Sequence, residues 1–576
     1  MLNWRGKRPF TSTQFYPAQL KEVHGSEVDG WRNKIFWGDN LQVMSHLLKE
    51  FRGQVDLIYI DPPFDSKADY RKKISVKGAA ISNDTSVFEE AQYTDIWNND
   101  EYLQFMYERL CLCKELLSDS GAIYLHCDYR KSHLLRLMLD EVFGAKNFLN
   151  TLIWQFSTRS SIKTSWKRTH HEIHFYKKKS NPIFVWDDEM VIEPLSEGTI
   201  KKYRLEDEIG KYRLNGRFLK NSPIKGGKDV DQSWEKTNPE LVVRDYLRTG
   251  KVAGDVFFID IENQSSDLRT DYPTQKPEEL LYKLISASSE ENALIFDCFM
   301  GSGTTQAVAQ KLNRRFIGAD INLAAVQTTT KRLSKTLDNA GSGDGPGFEI
   351  YNVNNYDIFR NPVEAKSLLL DALEIQKLDQ HSIYDGEKDG RLVKIMPVNR
   401  IATKADLAQI TGGFDQKKFQ KRYDEKPNQP VESIMLVCMG HEPDLKAELE
   451  YQAKPFKIDV EVVDILRDKA NLEFKRDSEA KLAIEDGHLT IESFYPMNLL
   501  QKLSLQREQA EDWKELTESV MVDWNYDGAV LQPAIVDVPD KNEFVVGRYP
   551  VPADAGTIRV KITDLLSESW EGNIDG

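Results

Sequence analysis

The sequence predicts an α/β fold in which helices cover both faces of a doubly wound, mostly parallel sheet. Two apolar runs, 55–60 and 293–297, are short enough to be buried strands, and each ends at a turn signal. Apolar residues recur at helical spacing in 101–117 and 134–143, and 122–126 indicates another strand between these helices. Strands that alternate with helices of this length are typical of parallel sheets.

The length and composition indicate a multidomain globular protein. A chain of 576 residues is too long for one hydrophobic core, so we expect two to four domains. No apolar run approaches the roughly 20 residues of a membrane span, and the first residues carry no export signal. We therefore expect a cytoplasmic protein that does not bind a membrane. Its 5 cysteines lack the spacing of a disulfide framework or a zinc site, and we predict no metal.

The acidic charge is concentrated in the C-terminal third. Residues 361–576 hold 41 acidic and 27 basic side chains, so they account for −14 of the total net charge of −15. That excess argues against wrapping of nucleic acid by this region, which we predict to be α/β to β-rich with strands at 433–438, 458–465 and 557–562. In contrast, 151–180 contains seven basic residues and one acid, and is either a phosphate-binding stretch or a solvated face.

The first buried strand ends at a distinctive tetrapeptide, Asp61-Pro62-Pro63-Phe64. Proline cannot donate to a sheet ladder, so the two prolines end the strand and hold the backbone rigid. The tetrapeptide therefore lies at the carboxyl edge of the predicted sheet. Taken alone, it is equally well read as an ordinary turn.

The second buried strand leads into a glycine loop typical of nucleoside binding. It ends at Asp297 and is followed by Cys298-Phe299-Met300-Gly301-Ser302-Gly303, after which a helix begins near Thr304. The next strand, 315–320, ends at Asp320, 19 residues after Gly301. Glycines allow the backbone to approach a ligand closely, and a carboxylate at the end of the following strand can hold both ribose hydroxyls.

These two motifs, in this order, resemble the β class of DNA amino-methyltransferases, in which the catalytic motif precedes the cofactor loop. The resemblance implies a circularly permuted methyltransferase fold that uses S-adenosylmethionine. Gly38-Asp39-Asn40 resembles the family's site for the cofactor's adenine, and Thr274-Gln275-Lys276-Pro277 resembles the segment beside its methionine end. The residues that the resemblance implies for cofactor binding are Asp39, Asn40, Lys276, Asp297, Phe299, Gly301, Gly303, Thr304 and Asp320.

The resemblance also implies the chemistry of the tetrapeptide. Asp61 and the Pro62 carbonyl would both accept hydrogen bonds from an exocyclic base amine, whose lone pair would then be aimed at the methyl group. Phe64 would stack on a base flipped out of the duplex, and Pro63 completes the motif. An aspartate in first position points to adenine N6, because cytosine N4 enzymes of this family more often carry serine. The alternatives are cytosine N4, an RNA adenine amine, and a catalytically silent DNA-binding subunit.

Within that class, the sequence most resembles the modification subunits of type III restriction systems. The resemblance rests on Trp37-Gly38-Asp39-Asn40-Leu41, Tyr93-Thr94-Asp95-Ile96-Trp97 and His126-Cys127-Asp128-Tyr129-Arg130. It implies double-stranded DNA as substrate and a role in restriction-modification or phage defence. We expect Arg159, Lys163, Lys167 and Arg168 to contact DNA phosphates. Cys298 departs from the family pattern, which usually has proline there.

The predicted domain organisation has four parts. Residues 1–180 form the catalytic half of the methyltransferase domain, 181–270 an inserted target-recognition region, and 271–360 the cofactor-binding half. The inserted region spans only 90 residues, which is short for such a subunit. Residues 361–576 form the acidic C-terminal domain, a candidate docking site for a restriction or translocase subunit. The resemblance is also compatible with a homodimer.

Overall fold

The structure is a computed structural model of the 576-residue chain. None of the helices in the part of the chain it describes is long and apolar enough to cross a membrane. It describes residues 2–11, 13, 18–63, 69–75, 87–94, 99–158, 163–218, 226–261, 275–340, 345–353, 366, 369–370, 373, 375–378, 383–398, 400–427, 429–465, 478–497, 499–500, 512–540, 543–565 and 568–575.

The first part of the chain alternates strands and helices, as predicted. Its strands are β1 (Ala18–His24), β2 (Asn33–Trp37), β3 (Val55–Ile60), β4 (Asp69–Ser75), β5 (Val87–Thr94), β6 (Leu117–Cys127), β7 (Phe148–Gln155) and β8 (His170–Lys177). Its helices are α1 (Asn40–Phe51), α2 (Asn99–Leu116) and α3 (Ser132–Leu139). The helix predicted over 134–143 changes to a π-helical turn at Asp140–Gly144, where Gly144 adopts a positive φ of 94° and ends it.

The middle of the chain contains a small sheet of its own. Its elements are α4 (Glu197–Ile200), β9 (Leu205–Glu206), β10 (Lys211–Gly216), α5 (Ser233–Thr237), β11 (Val242–Tyr246) and β12 (Val256–Phe258). Strands β9, β10 and β11 form a three-stranded antiparallel sheet. In contrast, β12 pairs with β7, so the end of this region belongs to the main sheet.

The next part of the chain contains α6 (Glu278–Ser288), β13 (Leu294–Asp297), α7 (Thr304–Lys311), β14 (Arg315–Asp320), α8 (Leu323–Ala340) and β15 (Phe348–Val353). The main sheet has the order β1-β15-β2-β14-β13-β3-β6-β8-β7-β12. Pairing is parallel from β15 to β6 and between β7 and β12, and antiparallel on both sides of β8 and between β1 and β15. The prediction of a mostly parallel sheet is confirmed.

Helices cover both faces of this sheet, because successive strand residues point to opposite sides. Ile58 and Ile60 pack with α1, α2 and α3 in one buried cluster. Leu57 and Tyr59, from the same strand, pack with α6, α7 and α8 in another. The doubly wound α/β prediction is therefore confirmed.

The C-terminal third changes from α/β to β-rich along its length. Strands β16 (Gln376–Lys377), β17 (Gly386–Lys388), β18 (Arg391–Ile395), β19 (Glu432–Cys438) and β20 (Ile458–Asp464) form one sheet, with helices α9 (Leu407–Gly412), α10 (Gln416–Glu425) and α11 (Leu445–Gln452). Two antiparallel sheets follow, built from β21 (Glu479–Glu485), β22 (His488–Tyr495), β23 (Thr517–Asp523), β24 (Ile535–Asp537), β25 (Arg548–Pro550), β26 (Thr557–Asp564) and β27 (Ser569–Asp575). The three strands predicted in this region coincide with β19, β20 and β26.

Candidate active site

Acidic residues stand at the carboxyl ends of the five central parallel strands. In sheet order β2, β14, β13, β3 and β6, the residues at or just after the strand ends are Asp39, Asp320, Asp297, Asp61 and Asp128. After β3 the chain moves to β6, whereas after β13 it moves to β14 on the other side. The order therefore reverses between β13 and β3, and a crevice at such a reversal is the usual binding site of an open α/β sheet.

A cavity of about 840 Å³ opens at this edge, within the size range of small-molecule and cofactor sites. It brings together residues predicted from two distant segments of the sequence. The predicted site residues that line it are Asp39, Asn40, Asp61, Pro62, Pro63, Lys276, Asp297, Phe299, Gly301, Thr304 and Asp320. Gly303 is not among the residues that line the cavity, and Phe64 lies outside the described residues.

Asp61 is held by Lys276, from the segment before α6. Its Oδ2 accepts a hydrogen bond from the Lys276 ammonium, and its Oδ1 lies 3.9 Å from Nδ1 of His126. Lys276 precedes α6 and is 8% exposed, so the ion pair is largely shielded from water. The contact spans the reversal point, because Asp61 follows β3 and Lys276 belongs to the segment before β13. Lys276 therefore touches the catalytic motif as well as the cavity.

Two neutral histidines lie beneath Asp61. The Tyr59 hydroxyl is 2.8 Å from His126 Nδ1, and His126 Nε2 is 3.0 Å from His171 Nδ1. Burial, followed by the charge of Lys276, lowers the pKa of His126 well below its usual range and that of His171 to about 3. Burial raises the pKa of the Tyr59 hydroxyl, and Asp61 and Asp297 add to this effect. These rings form an uncharged, hydrogen-bonded support on one side of the site.

The glycine loop is fixed by carboxylates at its two sides. Asp297 accepts hydrogen bonds from the Phe299 amide at 2.9 Å and the Thr305 hydroxyl at 2.6 Å. Asp320 accepts from the Gly301 amide at 3.0 Å and the Asn322 amide at 2.9 Å. Burial raises the pKa of Asp297 to about 7, with smaller contributions from Asp61 and Asp320, and raises the pKa of Asp320 to about 6.

Gly303 has a structural requirement for glycine. Its φ is +71°, and a Cβ atom there would lie 2.5 Å from Cγ2 of Thr329. Helix α7 begins at the next residue, so the left-handed turn aims its first amides at the cavity rim. Gly303 therefore determines the backbone path of the loop and does not itself line the cavity.

Arg109 organises the far end of the cavity. From α2 its guanidinium donates to Asn40 Oδ1 and to Asp39 Oδ2, the latter at 3.1 Å. Asp39 also caps α1 by accepting from the Leu41 amide, and the Asn40 amide donates to the Cys298 carbonyl at 3.0 Å. The sequence interpretation missed Arg109. Its signal was a charged side chain four residues after Phe105 on a helix that is otherwise apolar on that face.

The basic stretch lies at the same edge of the sheet as the cavity. Its residues between the two strands, described at 156–158 and 163–169, lead from the carboxyl end of β7 to the start of β8. Strand β8 is antiparallel to β6. Lys163, Lys167 and Arg168 are exposed, and Arg168 lies over the Tyr129 ring at 3.9 Å. Trp166, which the sequence interpretation passed over, is 96% exposed among them. Arg159 lies outside the described residues.

Three kinds of comparison relate the chain to known proteins. The family described as DNA methylase matches residues 55–331. The type II methyltransferase M.EcaI of Enterobacter cloacae is 30% identical over 346 residues, which are 54% of this chain and 71% of that protein. The probable type III restriction-modification enzyme HindVI Mod subunit of Haemophilus influenzae is 25% identical over 438 residues, 58% of this chain and 55% of that protein.

The EcoPI Mod subunit of Escherichia phage P1, a type III restriction-modification enzyme, is 22% identical over 490 residues, with 64% of this chain and 73% of that protein covered. A solved structure of the M1.HpyAVI–SAM complex aligns at 19% identity and a TM-score of 0.30, covering 52% of this chain and 98% of that one. The chain spans about half the length of the HindVI subunit. From the family match and the likeness to most of a type II methyltransferase, the chain belongs to the N6/N4 DNA methylase family.

Proposed function

We propose that this protein transfers a methyl group from S-adenosylmethionine to the N6 amine of a flipped adenine in duplex DNA. The observation that carries this proposal is the single cavity shared by Asp61 and the Asp297–Thr304 loop across the reversal point of the sheet. A methyl donor on the loop and a base amine at Asp61 would meet in that crevice. The family match supports methylation of DNA.

The residues around the loop fit such a nucleoside cofactor. The Asp320 carboxylate follows β14 where ribose hydroxyls can donate to it, and Asp39 and Asn40 line the adjoining end of the cavity. Phe299 offers an aromatic face on the same side. When bound, the cofactor supplies an activated methyl group on a sulfonium centre.

The chain's own residues prepare the amine. The Asp61 carboxylate and the Pro62 carbonyl accept hydrogen bonds from its two N–H groups. These bonds direct the lone pair of the amine toward the methyl group. Lys276 fixes the carboxylate through its ion pair, while Tyr59 and the neutral His126 support it from below. The amine nitrogen would take the methyl group that the cofactor supplies, the cofactor's sulfur would keep the electron pair of the broken carbon–sulfur bond, and the Asp61 carboxylate would accept the proton that the amine loses.

A methyl-transfer assay tests this function. The protein is incubated with tritiated S-adenosylmethionine and duplex DNA, RNA or no acceptor, with Asp61→Ala alongside. We expect label on duplex DNA that Asp61→Ala abolishes. Label on DNA that survives Asp61→Ala would contradict the mechanism. Label on RNA alone would favour the RNA alternative, and no label with any acceptor would favour a silent DNA-binding subunit.

Digestion of the labelled DNA identifies the target base. We expect N6-methyladenine, because Asp61 stands where cytosine N4 enzymes of the class more often have serine. N4-methylcytosine would identify cytosine N4 as the target, which is the second candidate. This candidate stays open because the matching family includes both N6 and N4 enzymes. The exposed Lys163, Lys167 and Arg168 would contact the phosphates, and substitution of these residues should weaken DNA binding most at low salt.

The similarity to Mod subunits supports a role in a restriction-modification system. The domain boundaries at 180, 270 and 360 belong to the same proposal, with 181–270 reading the sequence and 361–576 docking a restriction or translocase subunit. Affinity capture of the full chain from its native host, with and without DNA, tests the partner. Recovery of the chain as a monomer or homodimer with no second protein would contradict it.

A further inference from the structure

The cavity at the carboxyl edge of the main sheet has an outer wall from the C-terminal region. Segment 397–412, which connects β18 to the end of α9, lines the same space as Asp39, Asn40 and Asp320. These residues are more than 350 positions away from Asp39 in sequence. The acidic C-terminal region thus contributes surface to the site as well as a possible docking face.

Helix α9 presents one face to its own domain and another to the cavity. Leu407 and Ile410 are buried in the core of the five-stranded C-terminal sheet. Ala408, Thr411 and Gly412 line the cavity. Residues three and four apart share one side of a helix, so the face toward the cavity is set by the same packing that builds the domain.

A buried ion pair holds the outer wall in place. The guanidinium of Arg400 donates to both oxygens of Asp406, at 2.8 and 2.9 Å, and Arg400 is only 6% exposed. Asp406 also accepts from the Thr403 amide at 2.8 Å. Such a two-point, charge-assisted pair fixes the turn that leads into α9.

The N-terminal segment joins this wall to helix α2. The Arg5 guanidinium donates to the Phe414 carbonyl, and a Cβ atom on Gly6 would lie 3.8 Å from the Cα of Gly412. The same segment is bound to α2, because Gln104 accepts from the Trp4 indole at 3.2 Å and from the Arg8 amide at 3.1 Å. One turn farther along α2 lies Arg109, which holds Asp39 and Asn40. A continuous set of contacts therefore connects α9 with the cofactor end of the cavity.

We propose that segment 397–412 is the outer wall of the cofactor pocket, so that cofactor binding is coupled to the seating of the C-terminal domain on helix α2. The inference rests on the proposed use of S-adenosylmethionine at this cavity. Coupling between two binding events is reciprocal, so the cofactor stabilises the seated domain to the degree that the seated domain improves cofactor affinity. A partner that displaces the C-terminal domain would thereby release the cofactor.

The test uses the full chain and measures the Kd of S-adenosylmethionine by titration calorimetry. Ala408→Trp places a large ring on the cavity side of α9, and we expect it to weaken binding by about tenfold or more. Arg5→Ala, which removes the hydrogen bond to Phe414 from a residue that also lines the cavity, should weaken binding several-fold. The matched control is Ala447→Trp, an exposed alanine of α11 that does not line the cavity.

Hydrogen exchange of the unaltered protein gives a second readout that depends on no variant. We expect the cofactor to slow amide exchange in 405–412 as well as in the 299–304 loop. Protection of the loop alone, together with an unchanged Kd in Ala408→Trp and Arg5→Ala, would overturn the coupling and leave the proposed function standing. No binding of S-adenosylmethionine by the unaltered protein would overturn both.

Discussion

The ammonium of Lys276 contacts the carboxylate of Asp61, so a lysine of the segment before β13 positions the aspartate that follows β3. Replacement by methionine keeps the length of the side chain and removes the charge. We expect Lys276→Met to lower kcat by roughly 10- to 100-fold, since small displacements of a positioned group cost about that much, and to change the KM for S-adenosylmethionine little. Steady-state kinetics with both substrates measure this.

A lysine of the adjacent helix provides the control for that prediction. Lys283 lies on α6, where it donates to the Met190 carbonyl at 2.8 Å, and Lys283→Met should leave both constants close to those of the unaltered protein. If Lys276→Met instead raised the KM for the cofactor with kcat unchanged, Lys276 would be a cofactor ligand. That is the role the family resemblance implied for it.

Asp320 gives cofactor binding a pH dependence. Its folded pKa is about 6 because of burial, and its carboxylate is the form that accepts from ribose hydroxyls. Protonation removes that acceptor, so affinity falls as the pH falls through about 6, reaching a loss of about tenfold near pH 5. Titrations across this range should follow that curve, and Asp320→Asn should bind weakly throughout without the step near 6. Asp297, whose pKa of about 7 is raised in part by Asp320, should titrate at a lower pH in that variant.

At the residue scale, the sequence predicts groups placed by strand ends more readily than groups placed by packing. Asp61, Asp297 and Asp320 each follow an apolar run, and parallel strands bring such positions to one edge. His126 and Arg109 reach the site through helix and sheet contacts whose partners lie 45 or more residues away. Their roles depend on neighbours that local sequence patterns do not contain.

The turn between β13 and α7 depends on glycine at 303. Gly30 has the same φ of +71° with nothing within 4 Å of its Cβ position, whereas a Cβ on Gly303 would meet Thr329. Gly30→Ala should cost about 1 kcal/mol from left-handed strain alone, and Gly303→Ala roughly 1–3 kcal/mol more from the clash. Urea denaturation measures both. Equal losses would show that the loop relaxes around the added methyl group, and Thr329→Ser should recover part of any excess.

At the element scale, hydrophobic runs predict the strands well and their direction poorly. Strands β3, β13 and β14 end within one residue of the predicted bounds. The two halves of the main sheet also alternate strand and helix, which predicts parallel pairing. However, the described residues between β7 and β8, 156–158 and 163–169, contain no helix, β8 returns antiparallel beside β6, and β12 adds an edge strand from the middle of the chain. Pairing partners at that distance have no local signal.

Across the whole molecule, the C-terminal third is bound to the main sheet on two sides. Segment 397–412 lines the cavity at the carboxyl ends of the strands. Leu531 forms an isolated β-bridge with Glu22 of β1, the strand at one side of the main sheet. The sequence predicts this third as a separate acidic domain, and that division stays a prediction. Local sequence patterns do not indicate the contacts with β1, because these contacts join residues about 500 positions apart.

The ion pair of Lys561 with Glu22 holds these two parts together. Glu22 is buried, which by itself raises its pKa, but Lys561 and then His24 more than offset this and lower the pKa to about 2. Lys561→Met leaves that carboxylate buried without its ammonium, and we expect the free energy of unfolding at neutral pH to fall by about 3–5 kcal/mol. Urea denaturation of the full chain, followed by tryptophan fluorescence, measures the loss.

The pH dependence of that loss separates a missing charge from missing packing. In the unaltered protein, Glu22 stabilises the fold above its unfolded pKa of about 4.5, and this contribution is lost as the pH falls toward about 2. In Lys561→Met, burial without the ammonium raises the folded pKa of Glu22 above 4.5, so the difference between the two proteins should shrink as the pH falls from above 4.5 toward about 2. Lys481→Met removes the exposed partner of Glu492 and should leave the free energy of unfolding nearly unchanged at any pH. A Lys561→Met loss as small as that, or one independent of pH, would mean that apolar contacts and the Leu531 bridge hold the domain on β1 without the ion pair.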